Sequence, residues 1–267
     1  MQGLPNSAEA QLAEVIRRQG RPGFETAFLA FLTRAVAMDN LIVVAYRDAA
    51  PPQVLYRHAT QGQVYAALDS VYLAGAYVLD PYHDLHVRRA PAGLYRLADV
   101  APDAFQRSRY MIEYYQGTGL LDELGYVAYP VPGVTLTLCM GRDGATGRVF
   151  SAREIEVAAR IAPLVIALAE AHWAGLAAAG ATPDMPPVRR LVAALQQARG
   201  IRLSPRQAEV ALLILRGHST PSIALVLGVS AQTVKVFRRQ LHARCRVTSQ
   251  AELFALMLPL LGEGARV

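Results

Sequence analysis

Apolar residues recur at helical spacing from Ala8 to Arg18 and again from Phe24 to Val36. In the second run Phe24, Phe28, Phe31, Leu32 and Ala35 share one face. The pattern then changes. Leu41-Ile-Val-Val-Ala-Tyr46 has the unbroken apolar character of a buried strand, and Gln53-Val-Leu-Tyr-Arg57 can pair with it across Pro51-Pro52. Helical spacing returns from Gln63 to Tyr77, in a short segment opened by Asp80-Pro81, and from Asp103 to Gln116, with Gly117 as its stop. Residues 125–131 and 134–140 predict a hairpin joined at Pro132-Gly133. Ser151-Ala-Arg-Glu154 is a capping box opening a long helix to about Trp173. Ile161 to Ala181 is the most apolar stretch, but Glu170 and His172 interrupt it, so it reads as a packed helix and no membrane partner is expected.

Helices, a hairpin and more helices around an antiparallel sheet predict an α/β/α sensor of PAS- or GAF-like shape within an α+β chain. After residue 190 only helical patterns remain, and four segments fit. Ser204-Pro205 is an N-cap with proline at the first helical position, and that helix stops at Gly217. Ser219 or Thr220 caps the next, which ends at Gly228. Ser230 caps a third, Ala231 to about Arg244, and a fourth starts near Ser249. A short helix, a tight glycine turn and a basic helix form the helix-turn-helix arrangement.

Charge sharpens this division. The 267 residues carry a net charge of +6, which alone is ambiguous. Residues 1–185 hold 15 Arg against 18 acidic residues, and residues 186–267 hold 12 basic against 3 acidic. Between the two lies Ala177-Ala-Ala-Gly-Ala-Thr-Pro-Asp-Met-Pro-Pro187, small and proline-rich. The expected organisation is a sensing and dimerising domain over 1–176, a linker over 177–189, and a basic all-α DNA-binding domain over 190–267. The basic helix presents Lys235, Arg238, Arg239 and Arg244, with Lys235 and Arg239 one turn apart, opposite an apolar stripe of Val234, Phe237 and Leu241.

Lys235 is the only lysine, which excludes a phosphate-cradling Gly-Lys loop and a kinase-type ATP lysine. The same count excludes a phospho-aspartate receiver upstream of residue 235. No Ser/His/Asp set, no Gly-x-Ser-x-Gly and no complete metal set accompanies Asp80-Pro-Tyr-His83-Asp84-Leu-His86, so neither catalysis nor a cofactor is expected. Cys139 and Cys245 fit a reducing compartment, and no signal segment opens the chain, so a cytoplasmic protein is expected.

Leu203-Ser-Pro-Arg-Gln-Ala-Glu-Val210, Gly217, Ile223-Ala224, Leu227-Gly-Val-Ser230 and Thr233-Val-Lys235 resemble the DNA-binding domain of LuxR/GerE-type regulators. The resemblance implies a four-helix domain whose last helix helps dimerisation, and a double-stranded DNA partner. It places Lys235 and Arg239 at bases or phosphates, with Arg238 and Arg244 nearby, and Thr233 and Ser230 close to phosphate at the helix start. Two departures stand out: Pro221-Ser222 replaces a usual Lys-Glu, and Cys245-Arg246 replaces a usual Leu-Gly. Losing a C-cap glycine costs on the order of 1 kcal/mol.

Residues 72–173 are similar in outline to the ligand-binding domain of quorum-sensing LuxR regulators, through Asp80-Pro81, the strand ending Tyr129-Pro-Val131, and Phe150-Ser151. There the Asp accepts a hydrogen bond from the signal's amide, and tryptophan and tyrosine line the pocket. Here Tyr72 and Tyr77 stand at other offsets from Asp80, and the only tryptophan, Trp173, ends the last helix. The implied effector is therefore a small molecule other than an acyl-homoserine lactone, as in an orphan ("solo") regulator. All twelve tyrosines precede residue 130. Tyr72, Tyr77, Tyr82, Tyr114, Tyr126 and Tyr129 with Asp80 could form a box that holds a cationic amine by cation–π contact and ion pairing. Asp80 equally fits a helix N-cap before proline. The other reading is a homodimeric regulator whose first domain binds no ligand and acts through dimerisation or a protein partner.

Overall fold

The computed structural model describes residues 6–47, 50–177 and 186–262. Two helices, α1 (Asn6–Arg17) and α2 (Phe24–Ala35), lead into strands β1 (Asn40–Arg47) and β2 (Gln53–Ala59). The chain then passes through α3 (Pro81–Val87), β3 (Gly93–Arg96), α4 (Leu97–Val100) and α5 (Arg109–Glu113). The hairpin β4 (Asp122–Ala128) and β5 (Val134–Arg142) precedes the long α6 (Ala152–His172). The five strands form one antiparallel sheet in the order β2-β1-β5-β4-β3. Of these, β3 is a four-residue edge strand, too short to carry a period-two pattern.

Period-two alternation separates the two faces of the sheet. Leu41, Val43 and Ala45 of β1, Leu124 and Tyr126 of β4, and Leu136, Leu138 and Met140 of β5 face α2 and α6. Phe24, Phe28, Phe31, Val165 and Trp173 complete that core. The apolar stretch from Ile161 is thus a packed helix. Among the described residues no single helix is long and apolar enough to cross a membrane. On the other face Ile42, Val44 and Tyr46, with Thr137 and Cys139, meet the segment between residues 62 and 118.

That segment departs from expectation. Where helices over 63–77 and 103–116 are predicted, the chain forms 3₁₀ turns at Gly62–Tyr65, Ala76–Leu79, Phe105–Arg107 and Tyr115–Thr118, a π turn at Leu68–Tyr72, and only the five-residue α5. Gly75 breaks the first run. Its φ is 148°, and a Cβ there would lie 2.5 Å from the Gly262 backbone nitrogen. Ser108 breaks the second by turning out as the α5 N-cap, accepting from the Met111 amide at 3.0 Å.

The C-terminal region holds α7 (Pro187–Arg199), α8 (Pro205–Arg216), α9 (Thr220–Leu227), α10 (Ala231–Cys245) and α11 (Gln250–Leu261). The last four correspond to the four expected helices. The first is additional, and it begins inside the stretch expected to be linker, whose residues 178–185 lie outside the described residues. Ser204, Ser219 and Ser230 cap α8, α9 and α10 through their hydroxyls, and Ser204 forms a full capping box with Gln207. Gly217 and Gly228 close α8 and α9 in the left-handed conformation. At the corresponding end of α10 the left-handed residue is Arg246, with φ 54°. Arg246→Gly is therefore expected to stabilise the protein by about 1 kcal/mol, read as a higher denaturant midpoint at unchanged m-value.

The two regions share one apolar cluster, which runs from Leu68 and Phe105 into Leu212, Leu215, Phe254 and Met257. Polar contacts pin the α8–α9 corner to the first domain. Arg216 pairs with Asp84 at 2.9 Å and donates from Nε to the Val78 carbonyl at 3.1 Å. The Ala104 amide donates to the Gly217 carbonyl at 3.0 Å, and the Ser219 amide donates to Asp103 at 2.9 Å.

Candidate effector cavity and DNA-reading helix

Between the sheet and the turns of residues 62–118 lies a cavity of about 60 Å³. Its floor is Ile42, Val44 and Tyr46 of β1 with Thr137 and Cys139 of β5. Its walls are aromatic, with Tyr65, Tyr72, Tyr110, Tyr114 and Tyr115. Two carboxyl groups enter it, Asp80 and Glu123.

Asp80 does two jobs at once. Its Oδ1 accepts from the Tyr82 amide at 2.8 Å, the N-cap bond of α3, with Pro81 at the first helical position. Its Oδ2 accepts from the Tyr72 phenol at 2.6 Å, and Tyr72 lies 2.6 Å from the Tyr46 phenol in turn. Burial raises the Asp80 carboxyl to about 6, against the lowering pull of these two hydrogen bonds. Glu123 is 8% exposed and accepts from the Tyr115 phenol at 3.0 Å. Burial, with the nearby Asp80 charge, raises it to about 8. The phenols of Tyr46, Tyr72, Tyr110 and Tyr115 and the Cys139 thiol are pushed well above their ordinary ranges by burial, so they are neutral.

Glu123 therefore binds its proton more tightly in the folded state than in the unfolded chain. Its contribution to stability is present at low pH and is lost as pH rises from the ordinary carboxylate range through about 8. Glu123→Gln removes the titration and keeps an acceptor for Tyr115. The variant is expected to show a flatter melting temperature between mildly acidic and mildly alkaline pH, and to be the more stable protein at the alkaline end.

Of the tyrosines expected at an effector site, Tyr72 and Tyr114 line the cavity with Asp80. The other four do not. Tyr77 is buried beside Tyr72 and His83. Tyr82 lies under β4 at Gly125, where an added Cβ would come within 2.3 Å of its ring. Tyr126 points through the sheet and donates to the Ala158 carbonyl of α6 at 3.0 Å. Tyr129 donates to the Ala90 carbonyl and lies at the rim of another pocket beside the β4–β5 turn. Sequence reasoning missed Tyr46, Tyr65, Tyr110, Tyr115 and Glu123. Strand alternation could have found two of them: Tyr46 is in phase with Ile42 and Val44, and Glu123 is out of phase with Leu124 and Tyr126.

Asp80 also borders a second, larger cleft of about 500 Å³ between the two regions, lined also by Asp84, Asp103, Arg216 and His218. The two-turn α3 thus carries Asp80, its N-cap, at the tyrosine-lined cavity and Asp84 at the α8–α9 corner.

In the C-terminal region the chain bends by 106° between α9 and α10, within the roughly 90–120° of a helix-turn-helix. Val234 and Leu241 of α10 are buried and Phe237 half-buried, against α8 and α9. Lys235 and Arg239 are exposed on the other side. Ser230 accepts from the Thr233 amide at 3.0 Å, and their hydroxyls lie 2.8 Å apart at the helix start. Arg238 is half-buried and donates to the Thr220 hydroxyl at 3.2 Å. Arg244 donates to the Arg202 carbonyl and to Gln207, both at 3.0 Å, and so braces α10 on α8.

Comparison with known proteins identifies the family. The family model described as bacterial regulatory proteins, luxR family, matches residues 202–257. An HTH-type transcriptional regulator of the exeN 3′ region in Aeromonas salmonicida is 34% identical over 184 residues, 67% of this chain and 93% of that protein. The ligand-binding domain of VqsR from Pseudomonas aeruginosa matches at TM-score 0.53 and 23% identity, over 63% of this chain and 97% of that one. SdiA of Escherichia coli matches at TM-score 0.44 and 15% identity, over 95% of this chain and 97% of that one. The VqsR likeness speaks to the fold of the first domain, an antiparallel sheet between helical layers. With a helix-turn-helix whose basic helix is exposed and a relative matched over nearly its whole length, this chain is a DNA-binding transcriptional regulator rather than an enzyme, and it belongs to the luxR family of bacterial regulatory proteins.

Proposed function

We propose that this regulator responds to a small molecule held in the tyrosine-lined cavity, and that the molecule is not an acyl-homoserine lactone. The observation that carries this reading is α3, which spans from the cavity at Asp80 to the DNA-binding domain at Asp84. An effector that displaces the Tyr72 phenol from Asp80 shifts the helix cap, and the Asp84–Arg216 pair carries that shift to the α8–α9 corner. Two features support an effector of different chemistry. Both Asp80 oxygens already hold donors. Trp173 lies behind the sheet, its ring 5.8 Å from that of Phe24, so no tryptophan lines the cavity.

On this reading the protein acts as a cytoplasmic homodimer that presents two α10 helices to a two-fold DNA site. Lys235 and Arg239 contact base edges or neighbouring phosphates, and Arg238 and Arg244 add charge beside them. Ser230 and Thr233 sit near a phosphate, where the free amides of a helix start favour an anion. The test is a thermal-shift screen of the full-length protein against amines, lactones and aromatic acids, followed by gel shift on its own promoter with each stabilising compound. A compound that raises the melting temperature and changes DNA affinity supports the reading. If no compound does both, the first domain acts through dimerisation or a protein partner.

A further inference from the structure

The cavity is unusual in its charge. Two carboxyl groups line it, and among the described residues no lysine, arginine or histidine does. Glu123 is held by the Tyr115 phenol and the Cys139 thiol, and Asp80 by one phenol and one amide. Among the described residues neither carboxyl bonds to a cationic side chain. A buried carboxylate without a counter-ion is costly, and proteins normally pair it or keep it protonated. Other polar groups wait beside the two acids. The Thr137 hydroxyl, 1% exposed on the cavity floor, has no hydrogen-bond partner of good geometry, although it lies close to the Tyr46 phenol and the Cys139 thiol. The buried Tyr65 hydroxyl has none either. Aromatic faces on Tyr72, Tyr110 and Tyr114 stand round the same space, with centroids 5.9 Å apart for Tyr72–Tyr114 and 5.3 Å for Tyr110–Tyr114. Carboxylates, ring faces and a hydroxyl are complementary to an ammonium group.

We propose that the effector is an organic cation, a primary amine or diamine whose ammonium group pairs with Asp80 and Glu123. This rests on the reading of the cavity as the effector site. The small cavity suits a short aliphatic chain better than a long acyl tail. Asp80, raised only to about 6, is largely ionised at neutral pH and attracts the cation first. Glu123, raised to about 8, holds its proton until the cation arrives and then gives it up to solvent. The other titratable groups lining the cavity are phenols and the Cys139 thiol, each neutral at that pH, so the released proton comes from Glu123.

Calorimetric titration of the full-length protein tests this. The probes are butylamine and 1,4-diaminobutane, against butanol and 1,4-butanediol as uncharged isosteres and N-hexanoyl homoserine lactone as a neutral ligand of the other class. Repeating the amine titrations in buffers of different ionisation enthalpy counts protons. At least one amine is expected to bind about tenfold or more tightly than its alcohol, releasing up to about one proton. Glu123→Gln should abolish the release and weaken the amine about tenfold while leaving the alcohol unchanged. Asp80→Asn keeps the helix cap and should also weaken the amine. If the lactone or an alcohol binds and the amines do not, or if amine affinity is unchanged in Glu123→Gln, the charge inference is overturned while effector sensing stands. If none of the probes binds or raises the melting temperature, the charge inference falls, and the sensing role is decided separately by the thermal-shift screen.

Discussion

A protein carrying both Lys235→Ala and Arg239→Ala is expected to bind its promoter DNA at least about 30-fold more weakly than the wild type, at a stated salt near 0.1 M. The two side chains are exposed on the same face of α10, one turn apart, and the apolar stripe beneath them holds that face outward. A good base or phosphate contact contributes roughly 1–3 kcal/mol, so two together exceed any effect on folding. Both side chains point to solvent, so their removal leaves the packing of the domain intact, and the melting temperature should stay within about a degree or two. The dependence of affinity on salt should become shallower by about one unit for each phosphate that is no longer neutralised. Arg244→Ala should behave differently. It releases α10 from Arg202 and Gln207, so its effect should include a loss of stability.

The largest expected loss of stability lies far from the DNA. Arg142 at the end of β5 is 1% exposed, and it pairs with Glu154 of α6 and lies 3.7 Å from Asp39. Its guanidinium also sits 5.1 Å over the Phe150 ring. Asp39 is itself buried and holds the β5 end through the Asp143 amide at 2.9 Å and the Thr146 hydroxyl at 2.6 Å. Removing the arginine leaves Asp39 without a cation in low dielectric. Arg142→Ala is expected to cost about 3–5 kcal/mol, a fall in melting temperature of roughly 10 °C for a domain of this size. Glu154 should matter less to that loss, because Arg148 also pairs with it, at 2.8 Å, on the exposed side. Adding Asp39→Asn to Arg142→Ala removes the stranded charge and should recover part of the loss, which thermal melts of the two variants will show.

The helix-turn-helix was legible in the sequence because its signals are local. Ser204-Pro205, Ser219, Ser230, Gly217 and Gly228 each act on the turn in which they stand, and the structure places each as a cap. The sheet hairpins were legible for the same reason, through Pro51-Pro52 and Pro132-Gly133. The cavity was harder to read because its walls come from distant segments. Tyr46 meets Thr135 across β1 and β5, and Glu123 stands two strands away from Tyr46 in the same sheet. Composition pointed to tyrosine but not to which tyrosine. Tyr126 was expected beside an effector, and the two-residue period of β4 turns it to the opposite face. The segment 62–118 misled for another reason. Its apolar spacing is helical, yet close packing at Gly75 and the cap at Ser108 divide it into short turns. One of these, the π turn of Leu68–Tyr72, sets Tyr72 against Asp80. Such turns recur at functional sites.

Hydroxyl-radical footprinting of the full-length protein on its own promoter tests the central claim most directly. The expected result is two protected half-sites about one helical turn apart on one face of the duplex, lost in the Lys235→Ala/Arg239→Ala protein at the same concentration. Protection that persists unchanged in the double variant would contradict the account.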